Sequence, residues 1–376
     1  MAYQNCGTPR FYVDIYSYLR AMGLTGVEDS RLAEDDPNYD PNGLLLKEGD
    51  ALYSCGLNPT NEGRWTTPSG TWDDTYQGGF SYYLLNPMSQ DITRNATHNK
   101  TVYGFLGHNF KSTYQEPRVR LMDDAADVEA FGQGTEIVNW IQDGVPEHDG
   151  FSLYETEHGI SSGEFNRFQL RLWNTQDNNT GTAVKLGSIF IGTYYDMPHS
   201  PDLSLKLSYE YDGIKTQQTK GGSTLSNAMY TKAPNWGDYG AWQLGDVSSF
   251  RSGRRVWNLS FSYLSDTDVF PVNANTSYNA TIGSETGYGD NAPSSDTDGN
   301  YVFDSNILTG TDFFSQVWNR TMGGHLPFIF NPNGGGTSPN NNPDQFAIAR
   351  FDMDSLQYDQ VAHNTYNVRL KIREVW

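Results

Sequence analysis

Cysteine is nearly absent from this sequence. Cys6 and Cys55 are the only two thiols in 376 residues, too few for a disulfide framework. Both are expected to be reduced in a cytosol. Basic residues are also scarce: 25 Lys and Arg stand against 45 Asp and Glu, a formal net charge of −20. Such a chain repels a phosphate backbone, so nucleic acid is not an expected partner. No stretch reaches the ~20 apolar residues of a membrane-spanning helix. The first ten residues lack the basic and apolar regions of a secretory leader, so neither membrane insertion nor secretion is expected. Catalytic signatures are missing as well, with no P-loop, nucleophile elbow or dinucleotide fingerprint. The seven histidines fall at no zinc-ligand spacing. Asp296, Asp298 and Gly299 resemble the start of a calcium loop, but the later liganding Glu is missing, and the segment reads as a turn. With 45 carboxylates, a close pair such as Glu155 and Glu157 arises by chance and does not indicate a glycosidase. No catalytic residue, metal or cofactor is expected, and the chain is not read as an enzyme.

What the chain does have is aromatic mass and turn formers: 24 Tyr, 19 Phe, 9 Trp, 38 Gly and 17 Pro. Aromatics supply large buried area per side chain, and frequent Gly and Pro suit many short strands joined by turns. The length favours two domains. The expected fold is all-β, with two tandem β-sandwich or jelly-roll-like units, one or two short helices and long loops. Residues 1–79 read as an N-terminal arm and connector. Asp14 caps a short helix from Ile15 to Met22, and residues 28–42 form an acidic, proline-punctuated arm. Residues 80–200 read as the first β unit. Its candidate strands lie at 80–85, 101–106, 118–122, 137–140, 165–173 and 184–194, separated by Gly, Asn and Asp turns.

Residues 201–376 read as the second unit. Leu203, Leu205, Leu207, Tyr209 and Tyr211 alternate with polar residues, the period of a half-buried strand. In residues 254–264, Trp257, Leu259, Phe261 and Tyr263 are expected on one face, with Val256, Asn258, Ser260 and Ser262 on the other. Residues 216–236 read as a long loop or hairpin, and 271–300 as a surface excursion. Phe313, Phe314, Val317, Trp318 and Met322 fall at helical spacing, which predicts an amphipathic helix over about 311–322 with Thr311 as N-cap and Gly323 as stop. Residues 334–343 read as a flexible loop. The last ten residues alternate Val368, Leu370 and Ile372 with Arg369, Lys371 and Arg373. They predict a strand locked into a sheet near residues 203–211 or 254–264, with a small basic stripe on its open face.

Candidate functional residues follow from exposure and charge. Trp65, Trp72 and Tyr76 lie in one aromatic-rich loop, and Trp236, Tyr239 and Trp242 in another. Exposed aromatics stack on sugar rings or anchor a protein partner. Equally, they bury in the chain's own core or at a subunit interface, the preferred reading because aromatics usually bury. His108 ends a strand. It contacts a ligand, or, the preferred reading, it satisfies the turn that follows. Arg369, Lys371 and Arg373 are candidates for a contact with an acidic neighbouring subunit.

Two resemblances add to this. Residues 102–110, 165–173 and 185–192 together resemble a galactose-binding-like jelly roll, a module that binds glycans in some proteins and is scaffold in others. Residues 7–13, 254–264, 313–324, 326–330, 345–351 and 367–376 resemble structural proteins of tailed-phage virions, especially tail-associated ones. That resemblance rests on structural residues and brings no catalytic set. It implies a virion component made in the host cytoplasm, acting as an assembly scaffold in the tail, tail tip or baseplate region. The partners it implies are other virion proteins and further copies of the chain in a cyclic ring. The alternatives are a capsid decoration protein, or a receptor-recognition module that binds a host-surface glycan.

Overall fold

The computed structural model describes residues 6–21, 53–55, 79–83, 101–122, 136–142, 144–156, 167–174, 184–186, 188–203, 205–210, 216–226, 254–270 and 311–375. The expected arm at 28–42 and excursion at 271–300 lie outside them. The described chain is all-β. In order, its strands are β1 (Arg10–Asp14), β2 (Tyr53–Cys55), β3 (Gly79–Tyr83), β4 (Thr101–His108), β5 (Gln115–Met122), β6 (Glu136–Gln142), β7 (Gly150–Thr156), β8 (Arg167–Asn174), β9 (Val184–Leu186), β10 (Ser188–Asp196), β11 (Lys206–Glu210), β12 (Thr216–Gln218), β13 (Thr224–Ser226), β14 (Arg254–Ser265), β15 (Phe328–Asn331), β16 (Ala347–Phe351), β17 (Tyr358–Ala362) and β18 (Thr365–Glu374). Two short α-helices, α1 (Ile15–Ala21) and α2 (Asp266–Val269), and a π-helical segment, Phe314–Asn319, accompany them.

One antiparallel sheet dominates, in the order β11-β14-β18-β16-β15-β1-β10-β4-β7, with β17 also paired to β18. A second sheet runs β3-β8-β5-β6, and β2-β9 and β12-β13 are isolated pairs. Strand β1 sits in the middle of the large sheet. On one side of it lie strands from residues 201–376, and on the other strands from residues 80–200. Register pairs Tyr12 with Tyr194 of β10 and with Ile329 of β15. All five residues of β1 and all four of β15 are buried, as strands covered on both faces should be.

Because successive side chains alternate across a sheet, this sheet buries apolar side chains on both faces, and two clusters stand out among the described residues. One collects Phe11, Phe328, Phe330, Phe351, Trp257, Leu259, Phe261, Val368, Leu370 and Ile372, capped by Phe313 and Val317 of the helical segment. The other, on the opposite face, holds Tyr12, Ile329, Ile348, Phe190, Val102, Leu106, Phe151 and Phe346. The second core ends near β16. Beyond it, on β18, β14 and β11, the same face turns polar.

Several local expectations change in the folded chain. Leu203 lies outside β11, in a fully exposed turn, and Tyr209 is half exposed, because β11 is the end strand and has a neighbour on one side only. In β14 the alternation holds through Phe261 and then breaks. A bulge between Phe261 and Leu264 puts Tyr263 at φ 64 with 81% of its surface exposed, and Leu264 takes the core position instead. The predicted helix is present but π-wound. Its cap is Asp312, not Thr311: the buried Asp312 carboxylate accepts from the Ser315 N–H at 2.9 Å and Ser315 Oγ at 2.8 Å. Asp14 does the same for Ser17 at the start of α1, at 3.0 and 2.6 Å, as its sequence position predicts. Gly323, at φ 68, ends the segment and donates to the Trp318 carbonyl at 2.8 Å. Residues 334–343 are tethered at Gly334, Gly335 and Asn340, while 336–339 and 341–343 are exposed. Gly335 N–H donates to the Thr8 carbonyl, and Asn331 Nδ2 ties the loop to the Asn340 carbonyl, both at 2.9 Å.

Candidate functional site

The polar face of β11, β14 and β18 gathers the basic residues. Register sets Lys206, Asn258 and Lys371 in one row across the three strands, and Ser260 beside Arg369 in the next. Arg373 stands opposite Val256, with Arg350 of β16 on its other side. The expected stripe of Arg369, Lys371 and Arg373 is therefore one edge of a broader patch. Its register neighbours Lys206 and Arg350 carry no signal in the stripe's own sequence. A groove of about 750 Å³ runs over the patch, lined by Lys206, Arg369 and Lys371, by Asp359 of β17, and by Asp352 and Asp354 from the segment that precedes β17. Lys371 Nζ pairs with Asp352 at 2.6 Å, and Arg373 with Glu210 at 3.1 Å. Both pairs are substantially solvated and contribute little to stability. No carboxylate among the described residues pairs with Lys206 or Arg369, and both side chains are exposed.

A second polar centre lies on the same face near β1. Arg10, nearly buried, donates to both carboxylate oxygens of Asp196, at 2.6 and 2.9 Å, and to Glu155 at 2.5 Å. Its guanidinium lies 3.9 Å from the Tyr194 ring centroid. Tyr12 Oη also donates to Glu155, at 3.3 Å. Burial opposes the Arg10 charge, but the Asp196 hydrogen bond and the charges of Asp196 and Glu155 outweigh it and hold its pKa above the usual value. The ionic contacts bridge β1, β10 and β7, across 145 and 186 residues of sequence, so nothing local in the sequence signals them. This centre ties β1 into the sheet.

His108 is 3% exposed and serves the turn. The Phe110 N–H donates to its Nδ1 at 3.3 Å, which leaves Nε2 protonated to donate to Ser152 Oγ at 2.8 Å. The ring stacks on Phe110, with centroids 4.3 Å apart. Burial pushes its pKa down to about 3, against the opposing pull of Asp149. The aromatic candidates Trp65, Trp72, Tyr76, Trp236, Tyr239 and Trp242 lie outside the described residues. Among the described residues no group of three His, Cys, Asp or Glu is placed to hold a metal ion, and no helix is long and apolar enough to cross a membrane. No protein-family model, curated protein or solved structure gives a significant match to this chain.

Proposed function

We propose that this chain is a structural subunit of a tailed-phage virion, an assembly scaffold in a symmetric ring of the tail, tail tip or baseplate region. One observation carries the reading. The segments that resemble virion proteins are scattered from residue 7 to the C-terminal strand, yet they meet in space. They supply β14, β18, β16, β15 and β1, five consecutive neighbours of one sheet, and the helical segment that covers that sheet's larger core. A pattern of core residues that converges on one scaffold is what shared architecture leaves in a sequence. The open, charged face that β14 and β18 share with β11 suits a surface that meets another subunit. Mass spectrometry of gradient-purified particles, with heads and tails separated, tests the reading. Recovery in the tail fraction is the expected result. Recovery with heads favours a capsid decoration protein, and absence from particles ends the virion reading.

A further inference from the structure

We infer that the cavity between β1, β7 and the segments at 145–148 and 341–346 binds an organic cation, an ammonium or guanidinium on an alkyl stem. The inference goes beyond the virion-subunit reading and does not rest on it.

The cavity measures about 570 Å³, within the roughly 300–1,000 Å³ of small-molecule sites. Side chains alternate along β7, so Phe151, Leu153 and Glu155 share the face that carries Tyr12 and Phe346. The Phe151 and Phe346 rings lie 5.3 Å apart, and Tyr12 stands 6.0 Å from Phe346. These three rings make an aromatic floor. Val145, Pro146 and Pro343 add apolar wall. Such surface covers an alkyl stem, whose charged head then needs a carboxylate or a ring face at its end.

Charge selects the head group. Both ionised side chains that line the cavity are carboxylates, Glu147 and Glu155, which disfavours an anion. Glu155 is half committed: its Oε1 receives both Arg10 and Tyr12, and no described residue bonds its Oε2. Arg10 already meets part of that charge, so the deciding group is Glu147. It is exposed, and it makes no hydrogen bond or ion pair to any described residue. The chain shows the same chemistry once already. Arg10 lies 3.9 Å from the Tyr194 ring centroid while carboxylates hold its edge. The cavity beside it offers a visitor the same pairing of ring and carboxylate. Asn341 and Asn342, both exposed, add neutral amides that do not oppose a cation.

Saturation-transfer NMR on the full chain tests the site. The cationic probes are the N-acetyl methylamides of arginine and lysine, and putrescine. The neutral controls are the citrulline derivative, an uncharged isostere of arginine, and methyl glucoside. The two cationic amides should bind with Kd of about 1 mM, and the citrulline derivative at least about tenfold more weakly. Glu147→Gln should weaken the cations roughly threefold, and Glu147→Arg by more than about tenfold. The melting temperature should not move, because Glu147 is exposed. Glu155 is left intact, since it also holds Arg10. Amides that outbind putrescine assign the site to a partner protein's side chain, and the reverse order to a free diamine; either supports the inference. Citrulline or glucoside binding as tightly as arginine overturns it, as does an absence of saturation transfer at about 20 mM probe. A cation held only by the chain's overall charge of −20 would bind Glu147→Arg like wild type, and that result overturns it too.

Discussion

His108 makes the chain's stability dependent on pH in a way that can be isolated. Its ring is buried and neutral, with Nδ1 occupied as an acceptor by the Phe110 N–H, so a second proton has no place without breaking that bond. The folded pKa lies at about 3, and the ordinary value is 6.5. Above pH 6.5 neither the folded nor the unfolded state binds the proton, and His108 has no effect. Between 6.5 and 3 the unfolded chain binds a proton that the folded chain does not, so stability falls as pH falls. At ~1.4 kcal/mol per pH unit, the loss between pH 7.5 and pH 5 is about 2 kcal/mol. Other groups titrate in this window, so the comparison is with His108→Gln. Urea unfolding at both pH values should show the variant less stable at pH 7.5 but with about 2 kcal/mol less acid sensitivity. In a histidine NMR titration, the signal lost in the variant should stay in its neutral position from pH 8 to pH 5. If that signal titrates near 6.5, or the variant keeps the wild-type pH slope, the assignment of a buried neutral imidazole is wrong.

Three further outcomes follow from packing. Ile372 is fully buried between the Trp257 and Phe351 strands, so Ile372→Ala should cost about 2–5 kcal/mol in urea unfolding; a loss below 1 kcal/mol would place β18 outside the core. A Cβ on Gly192 would sit 1.8 Å from the Val13 carbonyl oxygen, so Gly192→Ala must push β1 away from β10. It should lower the melting temperature and speed hydrogen exchange in β1, and unchanged exchange there would refute the close approach. Asp312→Ala removes the cap from the helical segment and should cost about 0.5–2 kcal/mol; Thr311→Ala, tested alongside, should cost almost nothing, since Thr311 is exposed and caps nothing.

Much of the sheet was legible because it is written in local alternation. Trp257, Leu259 and Phe261 against Asn258 and Ser260, and Val368, Leu370 and Ile372 against Arg369 and Lys371, announce their faces in sequence. Strand β7, paired antiparallel with β4, is absent from the strands that the sequence predicts. β17 was missed as well, because four of its five residues are exposed and it carries no apolar period. The bulge at Tyr263 was invisible because it is set by the partner strand. The place of β1 at the centre of the sheet depends on pairings over more than 170 residues, which no window of sequence contains. The candidate site divides the same way. The basic stripe was legible on β18, but its extension to Lys206 and Arg350 appears only once register joins β11 and β16 to it.

The most direct test of the proposed virion role is cryo-electron microscopy of intact particles purified from cells that make this chain. The account predicts that the large sheet, with β1 at its centre, can be traced in repeated copies within a ring of the tail, tail tip or baseplate region. Particles complete in every ring without this chain would contradict it.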